Sequence, residues 1–226
     1  MASLKILILL LALAPAFAAD PPGRALFDAA GCRACHSIGG LGGNAGPDLT
    51  FVGFRRTRDW LDLWLKDPTA WKPDTKMPNF RLKDADRAAI VDYLSSLKGQ
   101  DFGARKPWDK EISSEIPPAN IVAEGEMIYR RAGCVACHGP QGRGGMPQNN
   151  FHGNQIPAVY KVAEGYTLDE LEKRIRSGRI PEPQDPSLPP PMVAMPAWGT
   201  VLSELEIDSV AQYLMSLAPP KPKDDF

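Results

Sequence analysis

The sequence predicts an all-α protein made of two tandem domains of the same design. Three observations support this. A short helix, a glycine and the motif Cys-x-x-Cys-His occur twice in that order, each half closes with a helix ending in Tyr-Leu-x-Ser-Leu, and strand patterns are nearly absent. The predicted organisation is a leader at residues 1–18, a first domain at 19–99, a linker at 100–119 and a second domain at 120–226.

The leader has the order of a secretory signal peptide. Lys5 precedes an apolar run at 6–14, and small residues precede the expected cleavage after Ala18. The run is shorter than the roughly 20 residues that span a bilayer, and no other segment is apolar enough to do so. We therefore expect an exported, periplasmic chain with no transmembrane span after processing.

A short helix is expected before each Cys-x-x-Cys-His motif, ending at Gly31 in the first half and at Gly133 in the second. The closing helices are expected at 83–97 and 204–217. Their apolar residues recur at positions i, i+3, i+4 and i+7, which predicts one buried face on each helix.

Middle helices are expected at 57–66 and 167–177, with Thr57 and Thr167 as their N-caps. The linker that follows the first domain is rich in charge, glycine and proline and lacks helical periodicity. We expect it to cross the outside of the domains.

The strongest chemical signal is the pair of Cys-x-x-Cys-His motifs, which use all four cysteines of the chain. In such a motif the two thiols add to the vinyl groups of haem, and the adjacent histidine ligates the iron. The sequence therefore predicts two covalently bound haem c groups. The haem-attachment residues are Cys32, Cys35, Cys134 and Cys137, and the iron-ligating histidines are His36 and His138.

Paired cysteines also occur in zinc sites, redox-active dithiols and disulfides. A zinc site could use all four cysteines, although the roughly one hundred residues between the pairs exceed the usual ligand spacing. A disulfide across two residues would be strained. These alternatives leave the histidine after each pair unexplained, so covalent haem is favoured while zinc and thiol redox chemistry stay open.

The second iron ligand is expected to be a methionine in each half. Met77 and Met195 are each followed by proline and lie in equivalent places before the closing helices. Proline restricts the backbone beside a flexible thioether, and a thioether ligand raises the haem potential. Met192 is the local competitor of Met195, and His152 would give a bis-histidine second haem.

Two loop prolines are candidates to orient the histidine ligands. A carbonyl at Pro47, and with less support at Pro147, could accept a hydrogen bond from the second ring nitrogen of the histidine. Such a bond fixes the tautomer and strengthens the ligand.

Taken together, these segments resemble class I c-type cytochromes, arranged in tandem as in the di-haem cytochrome c4 group. The second half is also similar to the cytochrome domains of haem-copper oxidases, in which Met-Pro-Ala followed by an aromatic residue is common. The resemblance implies two cytochrome c domains, each a few helices wrapped round one covalent haem. It departs at a proline-rich insertion, residues 181–191, which is either a docking element or a tolerated rigid loop.

The resemblance implies single-electron transfer between respiratory redox partners, by a soluble carrier or an electron-transfer subunit. Its partners would be a redox donor and acceptor, with a membrane respiratory complex among the candidates. A formal charge of −1 gives no reason to expect nucleic acid. No catalytic residue is assigned. The alternative is an enzyme such as a di-haem peroxidase, for which His152 is the one spare histidine.

Overall fold

The computed structural model describes residues 21–99, 106–109 and 120–218. The predicted leader at 1–18 lies outside them, as does most of the linker. Within these ranges the chain forms nine α-helices and one short hairpin, so the all-α prediction is confirmed. No helix among the described residues combines the length and apolarity that crossing a membrane requires.

The first half contains five helices and a hairpin. A 3₁₀ turn carries the first cysteine motif, and the two strands pair antiparallel with Ser37 opposite Gly42. The elements are α1 (Pro22–Ala29), β1 (Ser37–Ile38), β2 (Leu41–Gly42), α2 (Val52–Arg55), α3 (Arg58–Lys66), α4 (Pro68–Trp71) and α5 (Asp84–Ser96).

The second half repeats the order of first, middle and closing helices. Its cysteine motif lies on a short helix. The segments before and after its middle helix are longer than those of the first half. The elements are α6 (Ile121–Arg131), α7 (Val135–His138), α8 (Leu168–Ser177) and α9 (Glu204–Ser216).

The two middle helices start at the threonines that the sequence predicts. The Thr57 side chain accepts a hydrogen bond from the backbone of Trp60 at the start of α3. Thr167 and Glu170 exchange side-chain and backbone bonds in a reciprocal capping box at the start of α8. Each cap satisfies helix N–H groups that would otherwise lack partners.

The first and closing helices of each half cross at a glycine. A Cβ atom at Gly23 would lie 2.0 Å from the carbonyl oxygen of Ala89, and one at Gly125 would lie 1.9 Å from that of Ser209. No larger residue fits without separating α1 from α5 or α6 from α9. The repeat is therefore a repeat of packing geometry as well as of sequence.

The two halves share apolar cores. Phe51 of the first half lies 6.2 Å, between ring centroids, from Trp198 of the second. Conversely, Ile156 and Val193 of the second half belong to the cluster built mainly by the first. Trp108, from the linker, is fully buried and packs 5.7 Å from Phe51. The prediction that the linker stays outside the domains is therefore wrong at this residue.

Candidate functional site

A large cavity in the second half brings together the four site residues predicted there. Cys134, Cys137, His138 and Met195 all line it, together with apolar side chains from α6, α8 and α9. Counted out to its solvent-facing mouth, the cavity encloses about 1370 Å³. It is concave, largely apolar and lined by a few convergent polar groups, which is typical of a cofactor site.

His138 is held at the end of α7 in one tautomer. Its Nδ1–H points to the carbonyl oxygen of Pro157 at 3.3 Å, which leaves Nε2 with a lone pair for a metal. Burial lowers the pKa of His138 and outweighs the opposing effect of this carbonyl, so the ring is neutral at neutral pH. The predicted partner, Pro147, is therefore wrong, and Pro157 takes its place.

Met195 enters the cavity from a short extended segment. Its backbone N–H and C=O both pair with Arg179, at 3.0 and 2.8 Å. Met192, three residues earlier, packs instead against the apolar cluster of the first half. It is absent from the residues that line the cavity.

Arg55 of the first half also lines the second-half cavity. It is 5% exposed, and its guanidinium donates to the carbonyl oxygens of Asp48 at 2.7 Å and Gly133 at 3.1 Å. Gly133 directly precedes Cys134, and a Cβ atom there would lie 2.4 Å from Cζ of Arg55. Sequence reasoning missed this residue because nothing local indicates a contact across about eighty residues.

In the first half, His36 is oriented as predicted. Its Nδ1–H donates to the Pro47 carbonyl at 2.8 Å. Gly46 lies flat against the ring, because a Cβ atom at that position would be 2.5 Å from Cε1. Burial lowers the pKa of His36, so this imidazole is also neutral with Nε2 free to ligate a metal.

Cys32 and Met77 contact the same apolar cluster of the first half. The indole Nε1–H of Trp64 donates to the Met77 sulfur at 3.0 Å, which fixes the position of the thioether. The indole N–H groups of Trp60 and Trp71 are buried and have no acceptor within the described part of the chain. Unpaired buried donors are costly, and a group with carboxylates at its edge would supply acceptors.

These features fit haem c better than the alternatives that the sequence left open. None of the four cysteines is paired in a disulfide, and burial raises the pKa of the Cys134 thiol to about 12. Among the described residues, no three His, Cys, Asp or Glu side chains converge closely enough to hold a metal ion. The four cysteines therefore do not gather into one shared zinc site. His152 is exposed and does not line the second-half cavity.

Comparisons with known proteins agree with this geometry. The family model for cytochrome c matches residues 21–98 and again residues 122–218. Part of the chain is similar to cytochrome c oxidase subunit 2 of Alkalihalophilus pseudofirmus, at 34% identity over 34% of this chain and 25% of that protein. It is also similar to the cbb3-type cytochrome c oxidase subunit CcoP of Azospirillum brasilense, at 25% identity over 86% of this chain and 61% of that protein.

A third relative matches over more of its length. The thiosulfate dehydrogenase electron acceptor of Thiomonas intermedia is 26% identical over 92% of this chain and 87% of that protein. By contrast, the chain spans only a quarter and about three fifths of the two oxidase subunits. Because the family model covers both halves, the chain belongs to the cytochrome c family, as two such domains in tandem.

Proposed function

We propose that this chain is a di-haem c-type cytochrome that passes single electrons between respiratory redox partners, as a soluble carrier or as an electron-transfer subunit. The observation that carries the proposal is that Cys134, Cys137, His138 and Met195 all line the same cavity in the second half. A repeated domain with the same motif order supports an equivalent site in the first half.

In this proposal each residue type has one role. Haem c, when bound, supplies a one-electron iron couple. The cysteines anchor the group covalently, and the histidines present a neutral Nε2 from one side while their Nδ1–H groups are held by Pro47 and Pro157. The iron would be ligated by His36 and Met77 in the first half, and by His138 and Met195 in the second.

The environment of these residues favours electron transfer over bond chemistry. Each histidine donates its Nδ1–H to a backbone carbonyl, and in this proposal its Nε2 would be bound to iron, so neither histidine would be free to act as a general acid or base. A site filled on both sides by protein ligands reorganises little between oxidation states. We therefore assign no catalytic residue.

The names of the relatives support redox proteins as the class of partner, but they do not identify a particular partner for this chain. Two are named as subunits of cytochrome c oxidases, and the third is named as a thiosulfate dehydrogenase electron acceptor. We propose a protein donor and a protein acceptor, one of which belongs to a membrane respiratory complex. A periplasmic location follows from the predicted signal peptide at 1–18.

A stepwise redox titration of the purified holoprotein, followed by absorption spectroscopy, tests the proposal. We expect two haems per chain, both low-spin, and the weak red absorption of methionine-ligated ferric haem from each. Reduced protein should bind carbon monoxide poorly. One haem per chain, or ready carbon monoxide binding at either iron, would contradict the carrier assignment and would favour the peroxidase alternative.

A further inference from the structure

Two consecutive amides, Asn149 and Asn150, bond the proline-rich insertion of the second half, and the preceding Gln148 bonds the segment that follows the insertion. The Asn150 amide group donates to the carbonyls of Asp185 and Pro189, each at 2.9 Å, and accepts from the Asp185 N–H at 2.8 Å. Asn149 donates to Pro190 at 2.9 Å and accepts from the Met192 N–H at 2.8 Å. The insertion is therefore a fixed part of the fold.

Of the three amides, Gln148 makes the contact nearest in sequence to Met195. Its side chain is 5% exposed, and its amide donates to the Val193 carbonyl at 2.5 Å and accepts from the Val193 N–H at 3.2 Å. This pair of bonds copies the pairing of two strands. The backbone of Gln148 is also fixed, since its N–H donates to the backbone carbonyl of Asn154 at 2.9 Å.

This contact lies between the two methionines in the sequence. The four residues 193–196 all line the cavity, whereas Met192 does not line it and packs on the first-half cluster, to which Val193 also belongs. Gln148 therefore bonds the first residue of the lining stretch, and Arg179 bonds Met195 within it. Bringing Met192 to the place of Met195 requires a three-residue shift of the segment, which would break both sets of bonds.

We propose that Gln148 is a positioning residue that selects Met195, and not Met192, as the second axial ligand of the second haem. The inference rests on the proposed function, because it assumes that a haem occupies the second-half cavity. Gln148 fixes the Val193 backbone and Arg179 fixes the Met195 backbone, so the segment is bonded at two of the residues that line the cavity.

The test compares Met192→Leu with the double variant Gln148→Leu, Met192→Leu, both as full-length holoprotein. Removing Met192 prevents it from replacing Met195, so methionine ligation of the second haem reports Met195 alone. In Met192→Leu we expect the full red absorption of two methionine-ligated haems. In the double variant we expect about half of it, with the first haem unchanged and the second binding carbon monoxide when reduced.

Two further variants separate positioning from folding. Gln148→Glu in the Met192→Leu background has nearly the size of the native side chain but places a carboxylate against the Val193 carbonyl, and it should lose the same half of the absorption. Asn150→Gly removes the outer fastening while tolerating the positive φ of 45° at that position, and it should keep the full absorption. The first haem serves as the folding reference within each molecule.

The inference fails if Gln148→Leu, Met192→Leu retains the full red absorption and an unchanged potential at the second haem. It also fails if Asn150→Gly loses as much absorption as the Gln148 variants, because the effect would then belong to the whole insertion. A wild-type protein without two methionine-ligated haems would instead contradict the proposed function. That measurement is made first, so the two failures are distinguishable.

Discussion

Trp108→Ala should destabilise the protein strongly, although Trp108 comes from the segment that the sequence predicts to be a linker. The Trp108 side chain is fully buried between Phe51 of the first half and the core of the second. Its indole N–H donates to a carboxylate oxygen of Glu206 at 2.8 Å. The substitution removes the ring that contacts both halves and breaks a bond to a charged group.

The expected magnitude follows from the burial. Truncating a buried Phe or Trp to Ala costs about 3–5 kcal/mol, and the lost bond to Glu206 places Trp108 toward the upper end. For a chain of this size, about 1 kcal/mol lowers Tm by roughly 2–4 °C. We therefore expect Tm to fall by roughly 6–20 °C. Trp108→Phe keeps an aromatic ring in the core, so its Tm should fall less than that of Trp108→Ala.

The assay is thermal unfolding of the holoprotein, followed by far-ultraviolet circular dichroism. Leu205→Ala is the matched control, because Leu205 is in the second half and is 77% exposed. That variant should stay within about 0.5 kcal/mol of wild type. If Trp108→Ala were as stable as Leu205→Ala, the segment at 106–109 would be a passive linker and the shared core would need revision.

Three further predictions concern charge and the first-half site. Burial alone would raise the pKa of Glu206, but hydrogen bonds led by that from Lys106 outweigh it and lower the pKa. Its stabilising contribution is thus complete above about pH 4.5 and lost as pH falls through the lower folded value, so Glu206→Gln should flatten the acid side of a Tm–pH profile. Gly46→Ala should displace the His36 ring, weaken its bond to the Pro47 carbonyl and so raise the potential of the first haem but not of the second. Each tenfold change in the reduction equilibrium shifts the potential by about 59 mV. An unchanged potential of the first haem in a redox titration would contradict this prediction. Arg55→Met should leave the buried Asp48 carbonyl unpaired, while the Gly133 carbonyl keeps its bond from the Ala136 N–H, and should cost about 1–3 kcal/mol in denaturant unfolding. The exposed Arg58→Met should cost under about 0.5 kcal/mol.

Much of the helical framework could be predicted because it depends on local sequence. Thr57 and Thr167 cap the middle helices as expected, since a threonine side chain reaches N–H groups only a few residues ahead. The Pro47 carbonyl was also predictable, because it lies in a short loop after His36. These features require no knowledge of the other half of the chain.

The features that were missed all depend on long-range packing. Pro157, and not Pro147, contacts His138 because the loop after the second motif is longer and returns to the ring later in the sequence. The hydrogen bonds of Asn149 and Asn150 to the proline-rich insertion join residues about forty positions apart. Hydrophobic periodicity predicts which face of a helix is buried, but it does not say which partner covers it.

The shared interface changes what the sequence repeat means. Two copies of a motif predict two independent cores, yet Arg55 of the first half closes the second cavity, and Val193 of the second half completes the first apolar cluster. Arg55 joins the carbonyl of Asp48, next to the partner of His36, to that of Gly133, next to Cys134. A change at this contact acts on both ligand-bearing segments at once. A substitution of Arg55 is therefore expected to alter both sites, and it should alter the second site without touching any of its ligands.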